Sequence, residues 1–175
     1  MKTRIILTFI FLIFLSITLS SQATVYENKI STTELSKILP ALDNINCKFR
    51  QEKVLKNIEK PLLSEGNFSF IKQQGIFFET TYPIKSTISY TSKDCEQIND
   101  IIMAISNKKF SKLDNKFDFY YKEQNNIWIL GLKPKPNTGA DKYIDSITIE
   151  GIEHITKIII LMKDGSKTTQ WFSIE

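Results

Sequence analysis

The sequence predicts a mostly β, α+β fold: a strongly curved antiparallel sheet with helices inside it or across its mouth. Segments in which apolar and polar residues alternate recur along most of the chain, separated by short turn sequences. Two other segments carry apolar residues at helical spacing. Because two helices cannot cover one face of a flat sheet of seven or more strands, the sheet must curl around them.

The first 23 residues have the pattern of a signal peptide. Lys2 and Arg4 precede an apolar run over residues 5–15, and Ser21-Gln22-Ala23 provides a small-x-small cleavage site. A membrane anchor is the alternative, but the run is shorter than the roughly 20 residues that span a bilayer. We therefore expect cleavage after Ala23, export from the cytoplasm, and a single domain over residues 24–175.

Two helices are expected. Ser31 and Glu34 form a capping box that opens the first, and Pro40 predicts a kink or an early end. Ser92 or Asp94 can cap the second. One face of this second helix is apolar and consists of Ile98, Ile101, Ile102 and Ile105.

Strands account for most of the remaining chain. Alternation predicts them over residues 45–51, 66–72, 76–82, 84–91, 117–122, 127–132, 143–149, 155–163 and 167–174. Asn125-Asn126 and Asp164-Gly165 have the composition of tight hairpin turns. No repeat or long linker divides the chain, which agrees with one domain.

The charge pattern argues against a nucleic-acid partner. The chain has 23 Lys and Arg against 19 Asp and Glu, and the expected signal peptide takes two of the basic residues. The basic residues are scattered among acids and amides, whereas phosphate binding requires a basic stripe.

Residues for catalysis or metal binding are also sparse. His154 is the single histidine, and no Gly-x-Ser-x-Gly motif accompanies it. The carboxylate pairs Glu59 with Glu65 and Asp114 with Asp118 lack the apolar surroundings that would raise a pKa for acid catalysis. One histidine and two separated cysteines do not form a metal-ligand cluster. We expect no enzyme activity, no metal and no cofactor.

Cys47 and Cys95 leave two alternatives open. An exported protein permits a disulfide between them. Two separate buried thiols are equally compatible with the sequence, because spacing does not show whether the Cα atoms lie within bridging distance.

Aromatic residues exceed what one buried sheet face needs. Phe77-Phe78 and Phe119-Tyr120-Tyr121 place rings on both faces of their strands. A partner or ligand is expected to cover the rings on the second face of these strands.

The order of these signals resembles the periplasmic outer-membrane lipoprotein carrier family, the LolA-like proteins. The likeness covers most of residues 35–175 and rests on five segments in sequence: the first helix running into Phe49-Arg50-Gln51, Gly66 to Lys72, Phe77-Phe78 followed by Pro83, Met103 to Ser106, and Phe117 with Trp128 to Lys135. The resemblance implies an incomplete antiparallel β-barrel with two or three helices as lid or plug. It also implies a periplasmic carrier that shields acyl chains of lipoproteins or other lipids during transfer towards the outer membrane.

The resemblance implies an apolar cavity as well. Its candidate lining is Phe49, Phe70, Phe78, Ile98, Ile102, Met103 and Trp128. For each of these an ordinary place in the core is the alternative, because a shift of one residue moves a strand side chain to the other face.

Two departures from the family pattern concern the lid. The family has an arginine beside the hairpin turn, and the matching place here is Lys72 or Gln73. Lysine supplies a point charge without the guanidinium fork, and glutamine supplies no charge. The family's Asp-Gly segment is also shortened, since Ser92-Lys93-Asp94-Cys95 passes almost directly into the second helix.

The implied partners are lipid or lipoprotein acyl chains, an inner-membrane donor protein and an outer-membrane acceptor protein, with the carrier itself a monomer. The sequence leaves two other hypotheses open. One is a periplasmic protein-binding module of an envelope or export complex without lipid cargo, which would use exposed strand edges. The other is a small secreted hydrolase with an unrecognised site.

Overall fold

The structure is a computed structural model of the chain, and it describes residues 24–89 and 96–174. The expected signal peptide lies outside these ranges. So do Cys95 and the two expected caps of the second helix, Ser92 and Asp94.

Ten strands and three α-helices form in the described residues. The strands are β1 (Lys29–Ile30), β2 (Ile45–Val54), β3 (Leu62–Ile71), β4 (Gly75–Tyr82), β5 (Ser86–Ser89), β6 (Phe117–Gln124), β7 (Ile127–Pro134), β8 (Ile144–Gly151), β9 (Ile155–Met162) and β10 (Lys167–Ser173). The helices are α1 (Thr32–Ile38), α2 (Glu96–Asn107) and α3 (Ser111–Asp114).

All ten strands belong to one antiparallel sheet in the order β1-β6-β7-β8-β9-β10-β2-β3-β4-β5. Two series of hairpins, β2 to β5 and β6 to β10, meet where β10 pairs with β2, and Phe172 lies opposite Phe49 at this junction. The sheet is curved, and β1 and β5 are separate edges, so it does not close into a barrel. This confirms the predicted fold class.

One face of the sheet, here called the inner face, packs against the helices. α2 contributes Ile98, Ile101, Ile102, Ala104 and Ile105 to the same buried cluster as the aromatic residues of β2, β3 and β4. Two polar contacts fix the helix: Asn99 Oδ1 accepts a hydrogen bond from the Ile76 amide at 3.1 Å, and Ser106 Oγ donates to the Leu42 carbonyl at 3.0 Å.

The first helix begins and ends as its sequence predicts. Ser31 Oγ accepts from the Glu34 amide at 3.2 Å, and the Glu34 carboxylate accepts from the Ser31 amide at 3.3 Å. The helix ends at Ile38, two residues before Pro40, because the residue before proline is disfavoured in the helical region.

Several details differ from the predicted elements. β3 begins at Leu62 rather than Gly66, and the strand expected over residues 84–91 is described as β5 only from Ser86 to Ser89. The predicted helices also do not include α3, a single turn after α2. Within residues 24–89 and 96–174, none of the helices combines the length and apolar character required to cross a membrane.

Candidate functional site

Two adjacent cavities lie on the inner face of the sheet, beside the beginning of α2. The first is about 560 Å³ and is lined by Phe49, Gln51, Lys53, Ser64, Phe78, Thr80, Ile88, Ile98, Ile160, Met162, Thr168 and Gln170. The second is about 470 Å³ and is lined by Glu96, Gln97, Ile98, Ala140, Tyr143, Ile144, Ile147, Ile160 and Met162. Because Ile98, Ile160 and Met162 line both, we treat the two cavities as one groove.

Strand alternation directs these side chains into the groove. Phe49, Gln51 and Lys53 alternate along β2, and their register partners on β10 are Phe172, Gln170 and Thr168. Side chains two residues apart share a face of the sheet. The groove is therefore built from every second residue of neighbouring strands.

Aromatic packing forms the inner end of the groove. The ring centroid of Phe78 lies 5.1 Å from that of Phe49, in an edge-to-face arrangement, and 5.0 Å from that of Phe68. Phe68 in turn packs 4.6 Å from Phe172 of β10. These rings join the two hairpin series, and of the four only Phe49 and Phe78 line the groove.

A row of polar side chains crosses the outer part of the groove. Gln170 Nε2 donates to Gln51 Oε1 at 2.9 Å, and Gln51 Nε2 donates to Ser64 Oγ at 3.1 Å. Two residues further out along each strand, Thr168 of β10 and Lys53 of β2 lie directly opposite each other. Along β2 and β10 the lining therefore changes from aromatic, to amide and hydroxyl, to cationic, and Ile160 of β9 lies beside Thr168 at the cationic level.

Three of the seven residues proposed for the apolar lining border this groove: Phe49, Phe78 and Ile98. Phe70 and Ile102 instead border a space of only about 10 Å³, which is effectively filled. Met103 is partly buried against the core. Trp128 is also buried, and its Nε1 donates to the Ile152 carbonyl at 2.7 Å.

The second hairpin series supplies groove residues that are not part of the predicted apolar lining. These are Ile144, Ile147, Ile160 and Met162. The available signal is the run from Ile158 to Met162, which is apolar on both faces of β9 and so exceeds what one buried face needs.

Lys72 and Gln73 lie in the turn between β3 and β4. The amide of Lys72 donates to Asn44 Oδ1 at 2.7 Å, and its Nζ forms an ion pair with Asp43. Gln73 has a φ of 71°, as the tight turn requires. Both partners belong to the segment after α1, so the hairpin tip is tied to that segment. A role of this contact in a lid stays a prediction.

The residues considered for catalysis are dispersed. His154 lies in the β8–β9 turn, where its carbonyl accepts from the Ile152 amide at 3.1 Å. Asp118 pairs with Lys29 at 3.0 Å and with Lys135 at 3.9 Å. In the part of the chain that the structure describes, no three His, Cys, Asp or Glu side chains are grouped so as to hold a metal ion.

Cys47 lies buried on the inner face of β2, and burial raises the pKa of its thiol to about 11. Because the thiolate is the reactive form, we expect Ellman's reagent at pH 7.5 to modify Cys47 at least about 100-fold more slowly in the folded protein than after denaturation. The rate should rise as the pH increases towards 11. The measurement is made on a Cys95→Ser variant, so that one thiol is followed.

The disulfide alternative is tested on the unmodified chain. Two reactive thiols after denaturation without reductant would exclude a Cys47–Cys95 bond, and none would establish it. Modification of folded Cys47 at the rate of an exposed cysteine would contradict the expected effect of burial.

Comparisons with known proteins give a distant structural likeness. No protein-family model and no curated protein sequence matches the chain. Among solved structures, a LolA superfamily protein, NE2245 from Nitrosomonas europaea, aligns over 83% of this chain and 92% of its own, with a TM-score of 0.41 and 8% identity. At this level the likeness concerns general outline only.

Proposed function

We propose that this chain is a periplasmic carrier that shields acyl chains of lipoproteins or other lipids during transfer towards the outer membrane. The observation that carries the proposal is the groove: a curved sheet holds a helix against its inner face and leaves apolar side chains uncovered beside it. The cargo leaves chemically unchanged, so the proposal needs no catalytic group.

The groove has a suitable size and surface. Its two cavities, about 560 and 470 Å³, fall in the range of roughly 300–1,000 Å³ that is usual for ligand pockets. Burial of each methylene group contributes about 0.8 kcal/mol, so even part of an acyl chain would bind firmly. Ile160 and Met162 are partly exposed at its centre and would become covered on binding.

The location and partners belong to the same proposal. The signal-peptide pattern of residues 1–23 supports export to the periplasm, where an acyl chain must cross water. A carrier at this place would receive cargo from an inner-membrane donor protein and deliver it to an outer-membrane acceptor protein. We propose that it does so as a monomer.

A charged residue in the middle of the groove should strongly weaken cargo binding. Ile160→Asp places a carboxylate where both cavities meet, and an acyl chain cannot solvate that charge. We expect at least about tenfold weaker binding of a dansyl-labelled undecanoic acid, measured by fluorescence titration. The full chain is expressed with its own N-terminus and purified without detergent, and its intact mass reports whether residues 1–23 are removed.

Ile159→Asp is the matched control, because Ile159 is the preceding residue of β9, is similarly half-buried, and points to the opposite face. Circular dichroism and thermal melting establish that both variants fold. If the folded unmodified protein binds no acyl probe and shows no lipid adduct in native mass spectra, the carrier proposal fails. A protein-binding module would then be the better account.

A further inference from the structure

The groove is amphiphilic along its length rather than uniformly apolar. Phe49 on β2 is followed on the same face by Gln51 and then by Lys53. Each step of two residues advances about 6.8 Å along a strand. A ligand that follows β2 would therefore meet an aromatic ring, then a row of amides, then an ammonium group, over about 14 Å.

The polar row is part of the construction of the groove. Gln170, Gln51 and Ser64 form one hydrogen-bonded row over three neighbouring strands, β10, β2 and β3. Each amide carries more donors and acceptors than this row uses. The remaining groups can bond to a polar headgroup, whereas an acyl chain alone would leave them without partners at a cost in free energy.

The charge at the outer end has one sign. Among the described residues that line the groove, two are charged: Lys53 lines the first cavity and Glu96 lines the second. The Lys53 side chain is exposed at this end of the groove. Thr168, directly opposite on β10, adds a hydroxyl at the same level.

From this arrangement we infer that the cargo of the groove is an acyl lipid with an anionic headgroup, a carboxylate or a phosphate. The headgroup lies against Lys53 and Thr168, the polar linkage lies over the row of Gln51, Gln170 and Ser64, and the chain points towards Phe49, Phe78 and Ile98. The inference rests on the proposed function and adds to it the chemical class of the cargo.

Competition for the dansyl-labelled probe tests the headgroup. Palmitate and lysophosphatidic acid should displace the probe at concentrations at least about fivefold lower than hexadecanol and lysophosphatidylcholine, which carry no net negative charge. Inorganic phosphate should not displace it, because the chain supplies most of the binding free energy. If palmitate alone competes, the headgroup is a carboxylate, and if lysophosphatidic acid alone competes, it is a phosphate.

Lys53→Gln removes the charge while retaining a long polar side chain. We expect about fivefold weaker binding of the anionic lipids, unchanged binding of hexadecanol, and a loss of the salt dependence seen in the unmodified protein. Lys167→Gln is the matched control, since Lys167 precedes Thr168 on β10 and points to the opposite face.

The outcomes separate this inference from the proposed function. If acids and alcohols compete equally and Lys53→Gln binds all of them like the unmodified protein, the anionic headgroup is wrong while the carrier function stands. If no acyl lipid displaces the probe, or the probe itself does not bind, the carrier function fails as well.

Discussion

Replacing Phe68 with alanine is expected to lower the free energy of unfolding by about 3–5 kcal/mol. Phe68 is 2% exposed and lies in the middle of β3. Its ring packs against Phe78 of β4 on one side and Phe172 of β10 on the other, at 5.0 and 4.6 Å between centroids. The truncation leaves a cavity at the place where the two hairpin series meet. Urea unfolding followed by circular dichroism measures the loss.

Leu63→Ala provides the comparison within the same strand. Leu63 is on the opposite face of β3 and is 38% exposed, so its removal should cost less than about 1 kcal/mol. Equal losses for the two variants would contradict the central place of Phe68 in the core. A lower m-value for Phe68→Ala, that is, a smaller slope of the unfolding free energy against urea concentration, would indicate that the two hairpin series no longer unfold together.

The second large effect is expected for Gly66→Ala. A Cβ atom at position 66 would lie 2.0 Å from the Glu79 carbonyl oxygen and 2.9 Å from Cε1 of Phe49. The first contact is with the backbone of the neighbouring strand, which cannot rotate away, so β3 and β4 would have to separate next to the register shift at Glu65. We expect a loss of about 3 kcal/mol or more in the free energy of unfolding.

Ser69→Ala is the control for this substitution, because Ser69 lies on the other face of β3 and alanine introduces no new atom there. Its free energy of unfolding should change by less than about 0.5 kcal/mol. Gly66→Ala should also weaken binding of the dansyl-labelled probe, since the displaced Phe49 lines the groove. A Gly66→Ala protein as stable as the unmodified chain would show that the strands tolerate the extra atom.

The candidate site was only partly accessible from the sequence. Phe49, Phe78 and Ile98 border the groove, whereas Phe70 and Ile102 from the same predicted set are packed in the filled part of the core. Alternation places Phe49, Phe70 and Phe78 on the inner face of the sheet, and helical spacing places Ile98 and Ile102 on the buried face of α2. Whether a side chain on this face is covered depends on where α2 packs along the strand. The periodicity of one segment does not specify the position of another segment.

The same limit explains the missed residues of the second hairpin series. Ile160 and Met162 contribute to both cavities because β10 pairs with β2 and so brings β9 close to Phe49. This contact joins residues more than 100 positions apart. Hairpin turns specify neighbours that are adjacent in sequence, but a pairing between the beginning and end of a domain is selected by burial of the whole inner face.

The sequence by itself determined the order and type of most elements, because capping, period and turn composition act over a few residues. The capping box at Ser31, the end of α1 before Pro40, and the Asn125-Asn126 turn with φ values of 53° and 62° all follow from such local rules. The tertiary structure alone decided which strands form the two edges of the sheet, where α2 lies on its inner face, and therefore the groove. These features arise from packing between segments that are distant in the sequence, and local patterns do not specify such packing.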